Sequence, residues 1–260
     1  MAALLRCDAP PYAITTGRVP AAALPAFDWQ VEPVGERCVL VRVGPAVGVE
    51  TSRIVHAVAA VLHEGLGDSV LDVVSAFTTV AIHFRPADFP RRAGAATTQL
   101  ARQVQRLLGR GVPATTGAGR IIEIPACYGG DHGPDLVEVA RRCKLTPQQL
   151  IALHSRQPLT VYAFFFSPGN PFAGPLDALQ DLPRRSTPRT LVPAGSVGVA
   201  SGITSIYQNA SPGGWNIIAR TPLSLFDRHA SPPTRMQPGD LIHFRPITPE
   251  QFAQWPEARP

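Results

Sequence analysis

The sequence predicts an α+β protein with two domains, a small α/β domain followed by an all-β barrel. Two patterns carry this prediction. Helical and strand-like stretches alternate within residues 31–108, whereas short strand-like runs bounded by Pro and Gly dominate residues 120–260. A chain of 260 residues is also long enough for two domains, and a hydrophobic content of 45% is ordinary for globular proteins.

The beginning of the chain carries no periodic pattern of apolar residues. Residues 1–30 are rich in Ala and Pro, and we expect them to form a loosely held, partly disordered extension. The pattern sharpens after Arg37, where CVLVRV predicts the first strand. The sequence therefore predicts that the first domain begins at about residue 31.

A β-α-β-β-α order is predicted for residues 31–108. The stretch TSRIVHAVAAVLHEGLG has apolar residues at helical spacing, with Thr51 or Ser52 as the expected helix cap. SVLDVVSAFTTVAIHF then predicts two strands joined by a short turn. A second helix follows, with Leu100 and Val104 on its apolar face. These elements together predict a small α/β domain.

The second domain is predicted to follow a linker. GRGVPATTGAG, residues 109–119, is rich in Gly, Thr and Pro and has the composition of a linker. Two short helices open the next part, and the second has Thr146 as N-cap with Gln149 completing a capping box. The strand-like runs that follow are LTVYAFFF, GVAS, WNIIA, LSLF and DLIHF. Many short strands with such turns predict a barrel or sandwich over residues 120–260.

The positive charge of the chain does not indicate nucleic-acid binding. The formal net charge is +5, but the arginines occur singly or in pairs, without a basic run or interleaved aromatic residues. Lys144 is the only lysine, and its surroundings, RRCKLT, lack the glycines of a P-loop. We therefore expect no nucleic-acid partner, and any nucleotide would be bound without a P-loop lysine.

Cysteine spacing and hydropathy predict a soluble cytoplasmic protein. Cys7, Cys38, Cys127 and Cys143 are far apart, with no Cys-x-x-Cys pair for zinc or redox chemistry. We expect reduced thiols and no metal site. No apolar run approaches the roughly 18 residues of a membrane span, and Asp8 interrupts the N-terminal apolar residues. We expect no membrane association.

His154 is the best placed of the histidines for a functional role. It ends the predicted helix TPQQLIALH, just before a strand that leads into a Gly/Pro loop. An imidazole titrates near neutral pH and could act as a base or ligand. The alternative is an ordinary cation that stabilises the end of a helix.

Four Gly/Pro loops within the predicted barrel form the strongest local signal. They are SPGNPFAGPL, STPRTLVPAGSVG, SGITSIY and SPGGWNIIARTP. Each would expose backbone amides beside a hydroxyl, an aromatic ring or an arginine, which suits binding of a carboxylate, amide or phosphoryl group. The alternative is that a small barrel simply needs several tight turns.

These motifs also resemble a known family. IPACYGGDHGPDLVEVA, LIALH, PRRSTPRTLVPAGSVGVASG, SPGGWNIIARTPLSLFD and PGDLIHFRPI, in this order, are similar to the family of B-type 5-oxoprolinase subunits. The family is also called allophanate hydrolase subunit 1 or the KipI kinase-inhibitor family. The resemblance runs from about Arg37 to Ile247, with GERCVLVRVG and VSAFTTVAIHFRP matching the amino-terminal domain.

The resemblance implies a fold, a reaction and partners. It implies a cyclophilin-like β-barrel for the second domain and a C-type partner subunit of related barrel fold, together with an A-type subunit. The implied reaction is ATP-dependent opening of 5-oxoproline to glutamate, with ATP bound by the assembled complex. Two alternatives stay open: a KipI-like inhibitor of a histidine kinase, or the carboxyltransferase part of a biotin-dependent urea amidolyase-like system.

The resemblance also suggests site residues. We expect the amides of VPAGSVGVASG, Val192–Gly202, to face a site shared with the partner, together with Arg189 and the Ser196 hydroxyl. The catalytic candidates are Arg189, His154 and Ser196. The candidates for substrate or nucleotide binding are Gly169, Asn170, Arg185, Pro193, Gly195, Thr204, Tyr207, Gly214 and Trp215. PGNPFAG and SGITSIYQ depart from the family pattern in these loops, which leaves the substrate open.

Overall fold

A computed structural model describes residues 15–19, 24, 26–113 and 119–256. The chain divides into two compact units, Met1–Val47 with Arg53–Thr115 and Gly48–Ser52 with Thr116–Pro260. Residues 114–118 of the predicted linker lie outside the described residues, as does most of the predicted amino-terminal extension.

The first unit contains a five-stranded antiparallel sheet and two α-helices, the first of which begins with four residues assigned to the second unit. In chain order the elements are β1 (Thr15–Val19), β2 (Phe27–Pro33), β3 (Cys38–Arg42), α1 (Val49–Leu66), β4 (Asp72–Ala76), β5 (Thr79–His83) and α2 (Ala96–Leu108). The strand order in the sheet is β1-β2-β3-β5-β4. One core joins the sheet to both helices, with Val41, Val58 and Leu100 fully enclosed in it. The predicted β-α-β-β-α order is present within this unit.

Two features of the first unit differ from the sequence prediction. β1 and part of β2 lie in the residues assigned to a loose extension, because Phe27, Trp29 and Val31 alternate with polar residues and are buried on one face. The Ala- and Pro-rich surroundings concealed this period of two. Helix α1 begins at Val49, so the expected cap at Thr51 or Ser52 is wrong.

The second unit is built on a closed barrel. Its strands are β6 (Ile121–Tyr128), β7 (Leu159–Phe164), β8 (Pro171–Gly174), β9 (Arg189–Val192), β10 (Ser196–Ala200), β11 (Ile203–Ile206), β12 (Ser211–Gly213), β13 (Asn216–Arg220) and β14 (Leu241–Ile247). Seven of them close in the order β10-β11-β8-β7-β14-β6-β13, while β9 and β12 form a separate two-stranded ribbon. Neighbouring barrel strands are antiparallel except β6 and β14. The predicted α+β class with a barrel is confirmed.

Three helices belong to the second unit: α3 (Leu136–Arg142), α4 (Pro147–Ser155) and α5 (Pro249–Ala253). Helix α4 begins with the predicted capping box, in which the Gln149 amide donates to Thr146 Oγ1 at 3.1 Å and the Thr146 amide donates to Gln149 Oε1 at 2.8 Å. The barrel core encloses Ile124, Val161 and Phe244. No helix among the described residues is long and apolar enough to span a membrane.

Two segments of the barrel differ from the sequence prediction. LSLF, residues 223–226, forms no strand, and only an isolated bridge joins Phe226 to Thr234. SGITSIY, expected to be a loop, contains strand β11, in which Thr204 and Ser205 are buried. Their hydroxyls form hydrogen bonds inside the barrel, which removes the cost of burying polar residues in a strand.

Candidate functional site

A cavity of about 450 Å³ opens on the second unit beside the ribbon of β9 and β12. Its aromatic walls are Phe166, Phe172, Tyr207 and Trp215. The polar side chains that line it are Ser167, Asn170, Gln208, Asn209 and Ser211, and the one charged side chain of the lining is Arg184. Apolar walls with a few placed polar groups are typical of small-molecule sites.

The aromatic walls are packed against one another. The Phe172 and Trp215 rings meet edge to face, with centroids 5.3 Å apart at 83°. The ring centroid of Phe166, at the rim, lies 5.9 Å from that of Phe172, and Phe166 is 81% exposed. The inner walls are therefore rigid, while Phe166 presents its ring to the outside.

Arg184 is held in place over the indole of Trp215. Its guanidinium carbon lies 5.2 Å from the Trp215 ring centroid, within the range of a cation–π interaction. The backbone on both sides of Arg184 is fixed, since Asn216 Nδ2 donates to the Pro183 carbonyl at 3.0 Å and the Arg185 amide donates to the Gly214 carbonyl at 2.7 Å. Within the described part of the chain, Arg184 forms no salt bridge.

Asn170 offers a hydrogen-bond donor to the cavity. Its side-chain oxygen accepts a hydrogen bond from Ser205 Oγ at 2.9 Å, and its backbone bonds to Ser167 and Phe165. No hydrogen bond within the described residues uses the amide nitrogen of the side chain. A ligand that accepts a hydrogen bond would pair with the side-chain nitrogen of Asn170.

Tyr207 forms a wall of the cavity that leaves no room for a side chain at residue 213. A Cβ added to Gly213 would lie 2.2 Å from the Tyr207 hydroxyl oxygen. Burial raises the pKa of Tyr207, against the lowering effect of a hydrogen bond with the Trp215 backbone and the charges of Arg184 and Arg189. Tyr207 is therefore a neutral phenol at physiological pH.

Asp135 binds two of the arginines that the sequence analysis placed in the site. Arg189 donates two hydrogen bonds to its carboxylate, both 2.8 Å long, and Arg185 Nη1 donates a third at 3.0 Å. The backbone amide of Ile217, on β13, donates a fourth at 2.7 Å. Burial acts to raise the pKa of Asp135, but the hydrogen bonds from Arg189 and Ile217 and the charges of both arginines lower it overall.

This arrangement shows where the structure places Arg189 and Arg185. Both guanidinium groups form salt bridges with the same largely buried carboxylate, and Arg189 fixes the ribbon strand β9 to the barrel. Neither residue lines the cavity. In this chain Arg189 has a structural contact, the catalytic role expected for it stays a prediction, and the arginine of the cavity is their neighbour Arg184.

His154 lies in the interior, where it forms a chain of hydrogen bonds. Its Nδ1 lies 2.7 Å from the Tyr128 hydroxyl, its Nε2 lies 3.0 Å from Thr204 Oγ1, and Thr204 Oγ1 donates to the Gly198 carbonyl at 3.2 Å. Since the threonine proton is used on that carbonyl, Nε2 must donate and Nδ1 must accept from Tyr128. The pattern assigns a neutral imidazole with its proton on Nε2.

His154 is buried away from the cavity, and the catalytic role expected for it stays a prediction. The residue has no exposed surface, and burial lowers its pKa to about 3. Thr204, expected to contact substrate or nucleotide, is equally enclosed. Both residues join the barrel strands to helix α4 instead.

The loop VPAGSVGVASG does not present its amides to an open site. The Gly195 amide donates to the Tyr207 carbonyl at 2.7 Å, the Ser196 amide to the Pro193 carbonyl at 3.2 Å, and the Gly202 amide to the Leu179 carbonyl at 2.9 Å. The Ser196 side chain is buried on β10. Ser196 and these three amides therefore face the barrel rather than the cavity, and the roles expected for them stay predictions.

Two of the predicted site glycines, Gly195 and Gly169, are required by the backbone conformation and by close packing. Gly195 has φ +80°, and a Cβ there would lie 2.3 Å from the Thr221 carbonyl oxygen. Gly169 has φ +74°, and a Cβ there would lie 2.9 Å from Phe226 Cβ. Both positions require glycine for conformation and space, while Pro193 is exposed outside the cavity lining.

The cavity thus brings together Asn170, Tyr207, Gly214 and Trp215 of the predicted residues. The sequence analysis missed Arg184 as the cavity cation and Asp135 as the partner of Arg185 and Arg189. The cluster PRRSTPRT indicates that arginines belong to this region, but it does not show which of them form salt bridges with a carboxylate. Among the described residues, no three His, Cys, Asp or Glu side chains converge to hold a metal ion.

Comparison with known proteins identifies the family. Residues 29–236 match the family model described as carboxyltransferase domain, subdomain C and D. The B subunit of 5-oxoprolinase from Bacillus subtilis (strain 168) is 34% identical over 233 residues, covering 88% of this chain and 97% of that protein. The chain belongs to the family of B-type 5-oxoprolinase subunits. The Haemophilus influenzae member of this family is 35% identical over 218 residues, covering 82% of this chain and 96% of its own length.

Solved structures support the fold of this family member. The crystal structure of TTHA0988 matches with a TM-score of 0.69 at 34% identity, covering 82% of this chain and 41% of that one. The present chain thus spans less than half the length of TTHA0988. The Kluyveromyces lactis urea amidolyase matches with a TM-score of 0.70 over 96% of this chain and 16% of its own, at 17% identity, which shows a shared fold alone.

The ATP expected for this family does not fit the cavity. A triphosphate needs several cations or clustered free amides, whereas Arg184 is the one charged side chain of the lining. The loop amides expected to serve that purpose are bonded within the barrel. We therefore derive no step through ATP in this cavity.

Proposed function

We propose that the chain is one subunit of a 5-oxoprolinase-type amidohydrolase, which converts 5-oxoproline to glutamate, and that its cavity contributes the substrate-binding part of a shared site. The relatives named as B subunits of 5-oxoprolinase support this proposal. The observation that carries it is the cavity itself, which combines aromatic walls, one arginine and one free amide donor.

The chain alone would not be an enzyme in this proposal. The cavity lining contains no carboxylate and no histidine. The catalytic candidates from the sequence, His154 and Ser196, are enclosed in the barrel. The cavity therefore serves binding and orientation, which lowers the entropic cost of reaction, while other subunits supply the groups that activate water. We assign ATP to the assembled complex rather than to this cavity.

The proposed partner is a C-type subunit of related barrel fold, with an A-type subunit completing the enzyme. Exposed apolar residues lie beside the cavity and on the ribbon: Phe166 is 81% exposed, Phe165 is 39% exposed and Leu191, on β9, is 62% exposed. Aromatic residues of this kind dominate the energetics of protein interfaces. A subunit seated on them would close the cavity from the side of Phe166.

The test is reconstitution with the partner subunits. The isolated chain should show no ATP hydrolysis, whereas the complex with C-type and A-type subunits should hydrolyse ATP only when 5-oxoproline is present, with glutamate and ADP formed together. A matched pair of variants in the complex sharpens the result: Trp215→Ala should reduce activity, while Val137→Ser, on the exposed face of α3, should not.

Two other outcomes would overturn the proposal in favour of the alternatives. Inhibition of a histidine kinase by the isolated chain, without 5-oxoprolinase activity in any complex, would make it a regulator. Transfer of a carboxyl group from biotin to urea would make it a carboxyltransferase subunit.

A further inference from the structure

We infer that the cavity selects ligands that carry a carboxylate, and that Arg184 is the residue that binds it. The choice of 5-oxoproline as the ligand rests on the proposed function. The requirement for a carboxylate rests on the cavity alone.

The first argument is the distribution of charge. Arg184, Arg185 and Arg189 lie within six residues of sequence, and Asp135 is the carboxylate that binds two of them. Two arginines on one carboxylate already leave an excess of positive charge. The third arginine lines the cavity without a salt bridge among the described residues. A cavity of this kind attracts an anion.

The second argument is the orientation of the Arg184 side chain. The guanidinium carbon of Arg184 lies over the Trp215 ring, and no hydrogen bond among the described residues uses its N–H donors. These donors suit the two oxygens of a carboxylate, which arginine binds in bidentate fashion. Trp215 therefore orients Arg184 without consuming its hydrogen-bonding capacity.

The third argument is that Arg184 is positioned in advance of binding. Asn216 Nδ2 bonds to both the Pro183 and the Val199 carbonyls at 3.0 Å, which joins the residue before Arg184 to strand β10. The Arg185 amide bonds to Gly214 on the other side. The backbone on both sides of Arg184 is thus hydrogen-bonded to the segment that carries Trp215, so little backbone freedom remains to be lost on binding.

The remaining lining suits a small ring that contains an amide. The side-chain nitrogen of Asn170 can donate to a carbonyl oxygen of a ligand, and the rings of Phe172, Tyr207 and Trp215 provide flat apolar surface. A ligand with a carboxylate and a ring carbonyl would use both polar groups at once. 5-Oxoproline has this composition, whereas its amide, 5-oxoprolinamide, keeps the ring and loses the charge.

The experiment measures binding to the isolated chain by calorimetry and by NMR titration. The probes are 5-oxoproline, 5-oxoprolinamide and cyclopentanecarboxylate. The wild-type chain should bind both carboxylates and bind 5-oxoprolinamide at least tenfold more weakly. Arg184→Gln should lose at least tenfold in affinity for the carboxylates with little change for 5-oxoprolinamide. The carboxylate affinity of Arg184→Lys should lie between those of the wild type and Arg184→Gln, because lysine keeps the charge without the bidentate geometry.

Arg142→Gln, an exposed arginine outside the cavity lining, is the matched control and should bind all three probes like the wild type. Equal affinity of the wild-type chain for 5-oxoproline and its amide would overturn the inference. So would an Arg184→Gln variant that loses affinity for charged and uncharged probes alike, or the absence of carboxylate binding in both the chain and the complex.

The reconstituted complex separates this inference from the proposed function. In an active complex, Arg184→Gln should raise KM for 5-oxoproline at least tenfold with a smaller effect on kcat. An active complex whose KM is unaffected by Arg184→Gln would overturn the inference and leave the function standing. A complex without 5-oxoprolinase activity, whose chain still selects carboxylates through Arg184, would overturn the function and leave the inference standing.

Discussion

Asp135 and Arg189 form a two-pronged ion pair, in which both terminal nitrogens of the guanidinium group lie 2.8 Å from the carboxylate oxygens. Because Asp135 also accepts the Ile217 amide, a single carboxylate joins the ribbon strand β9 to barrel strand β13. β12, the partner of β9, supplies Ser211 and Gly213 to the cavity wall. The ion pair therefore holds in place the ribbon that forms part of the cavity wall.

Replacing Asp135 should destabilise the second unit and change its response to acid. In Asp135→Asn, two arginines lose their counter-charge, and we expect a loss of roughly 1–3 kcal/mol in the free energy of unfolding at pH 7. The pKa of Asp135 is lowered in the folded chain. Its stabilising effect is therefore complete above the unfolded value of about 4 and is lost as the pH falls below it.

Urea denaturation at pH 7 and at several values between pH 5 and 3 would measure both effects. The difference between the wild type and Asp135→Asn should shrink as the pH decreases. Asp131→Asn, an exposed aspartate in the preceding turn, serves as the control and should behave like the wild type. A constant difference at all pH values would contradict the assigned charge.

His154 should make the chain sensitive to mild acid. The folded chain keeps His154 neutral down to about pH 3, whereas an unfolded histidine takes up a proton below about 6.5. Stability should therefore fall as the pH decreases through 6.5, by about 2 kcal/mol between pH 7 and 5 for this one group. His154→Gln should be less stable at pH 7, because glutamine does not reproduce the placement of the two ring nitrogens between Tyr128 and Thr204, but its stability should depend less on pH.

Chemical denaturation of the two proteins at pH 7, 6 and 5 tests this directly. The exposed residue His63 offers the matched control, and His63→Gln should keep the pH dependence of the wild type. If the wild type and His154→Gln lost the same stability between pH 7 and 5, the neutral assignment would be wrong.

Gly213→Ala should disturb the cavity, whereas Gly214→Ala should not. A Cβ at residue 213 would lie 2.2 Å from the Tyr207 hydroxyl, but one at residue 214 has no atom nearer than 3.6 Å. We expect Gly213→Ala to lose about 1–3 kcal/mol of stability through overpacking. Adding Tyr207→Phe should restore part of this loss by removing the hydroxyl oxygen. Thermal denaturation of the three variants would measure it, and equal melting temperatures for the two alanine variants would refute the close contact.

Phe166 should contribute to partner binding although its backbone conformation is unfavourable. Its φ of +66° is unfavourable for phenylalanine, and the ring is 81% exposed. Asparagine tolerates this conformation better, so Phe166→Asn should leave the isolated chain at least as stable as the wild type. Its affinity for the proposed C-type subunit should fall at least tenfold.

Calorimetry with the purified C-type subunit provides the measurement. Val137→Ser removes an apolar side chain that is 69% exposed on helix α3, and its affinity for the partner should not change. An unchanged affinity in Phe166→Asn would remove Phe166 from the proposed interface.

Local signals in the sequence predicted the regular elements well. The capping box of α4 needs only Thr146 and Gln149, three residues apart, so it follows from the sequence without knowledge of the fold. The sequence pattern does not predict β2, although Phe27, Trp29 and Val31 alternate with polar residues, because the residues around it are rich in Ala and Pro. The sequence predicts a loop at β11, because the burial of Thr204 depends on its distant partner, His154.

The site was predicted less completely, for a physical reason. The Gly/Pro loops predict a site in the region of the cavity, and Asn170, Tyr207 and Trp215 line that cavity. The sequence does not show that Arg189 pairs with Asp135 while Arg184 lines the cavity, because this carboxylate lies 54 residues earlier in the chain. Only the tertiary structure shows which arginine pairs with the carboxylate and which one lines the cavity.

The parallel pairing of β6 with β14 has a consequence for biosynthesis. The two strands form seven paired positions, from Ile121 with Leu241 to Cys127 with Ile247, about 120 residues apart in the chain. During translation, the ribosome must therefore release nearly the whole second unit before β6 gains this neighbour. Contacts of such long range form slowly, and the unpaired edge of β6 would meanwhile be exposed to other nascent chains. The interval before β14 emerges is thus the step at which chaperones would have most to protect.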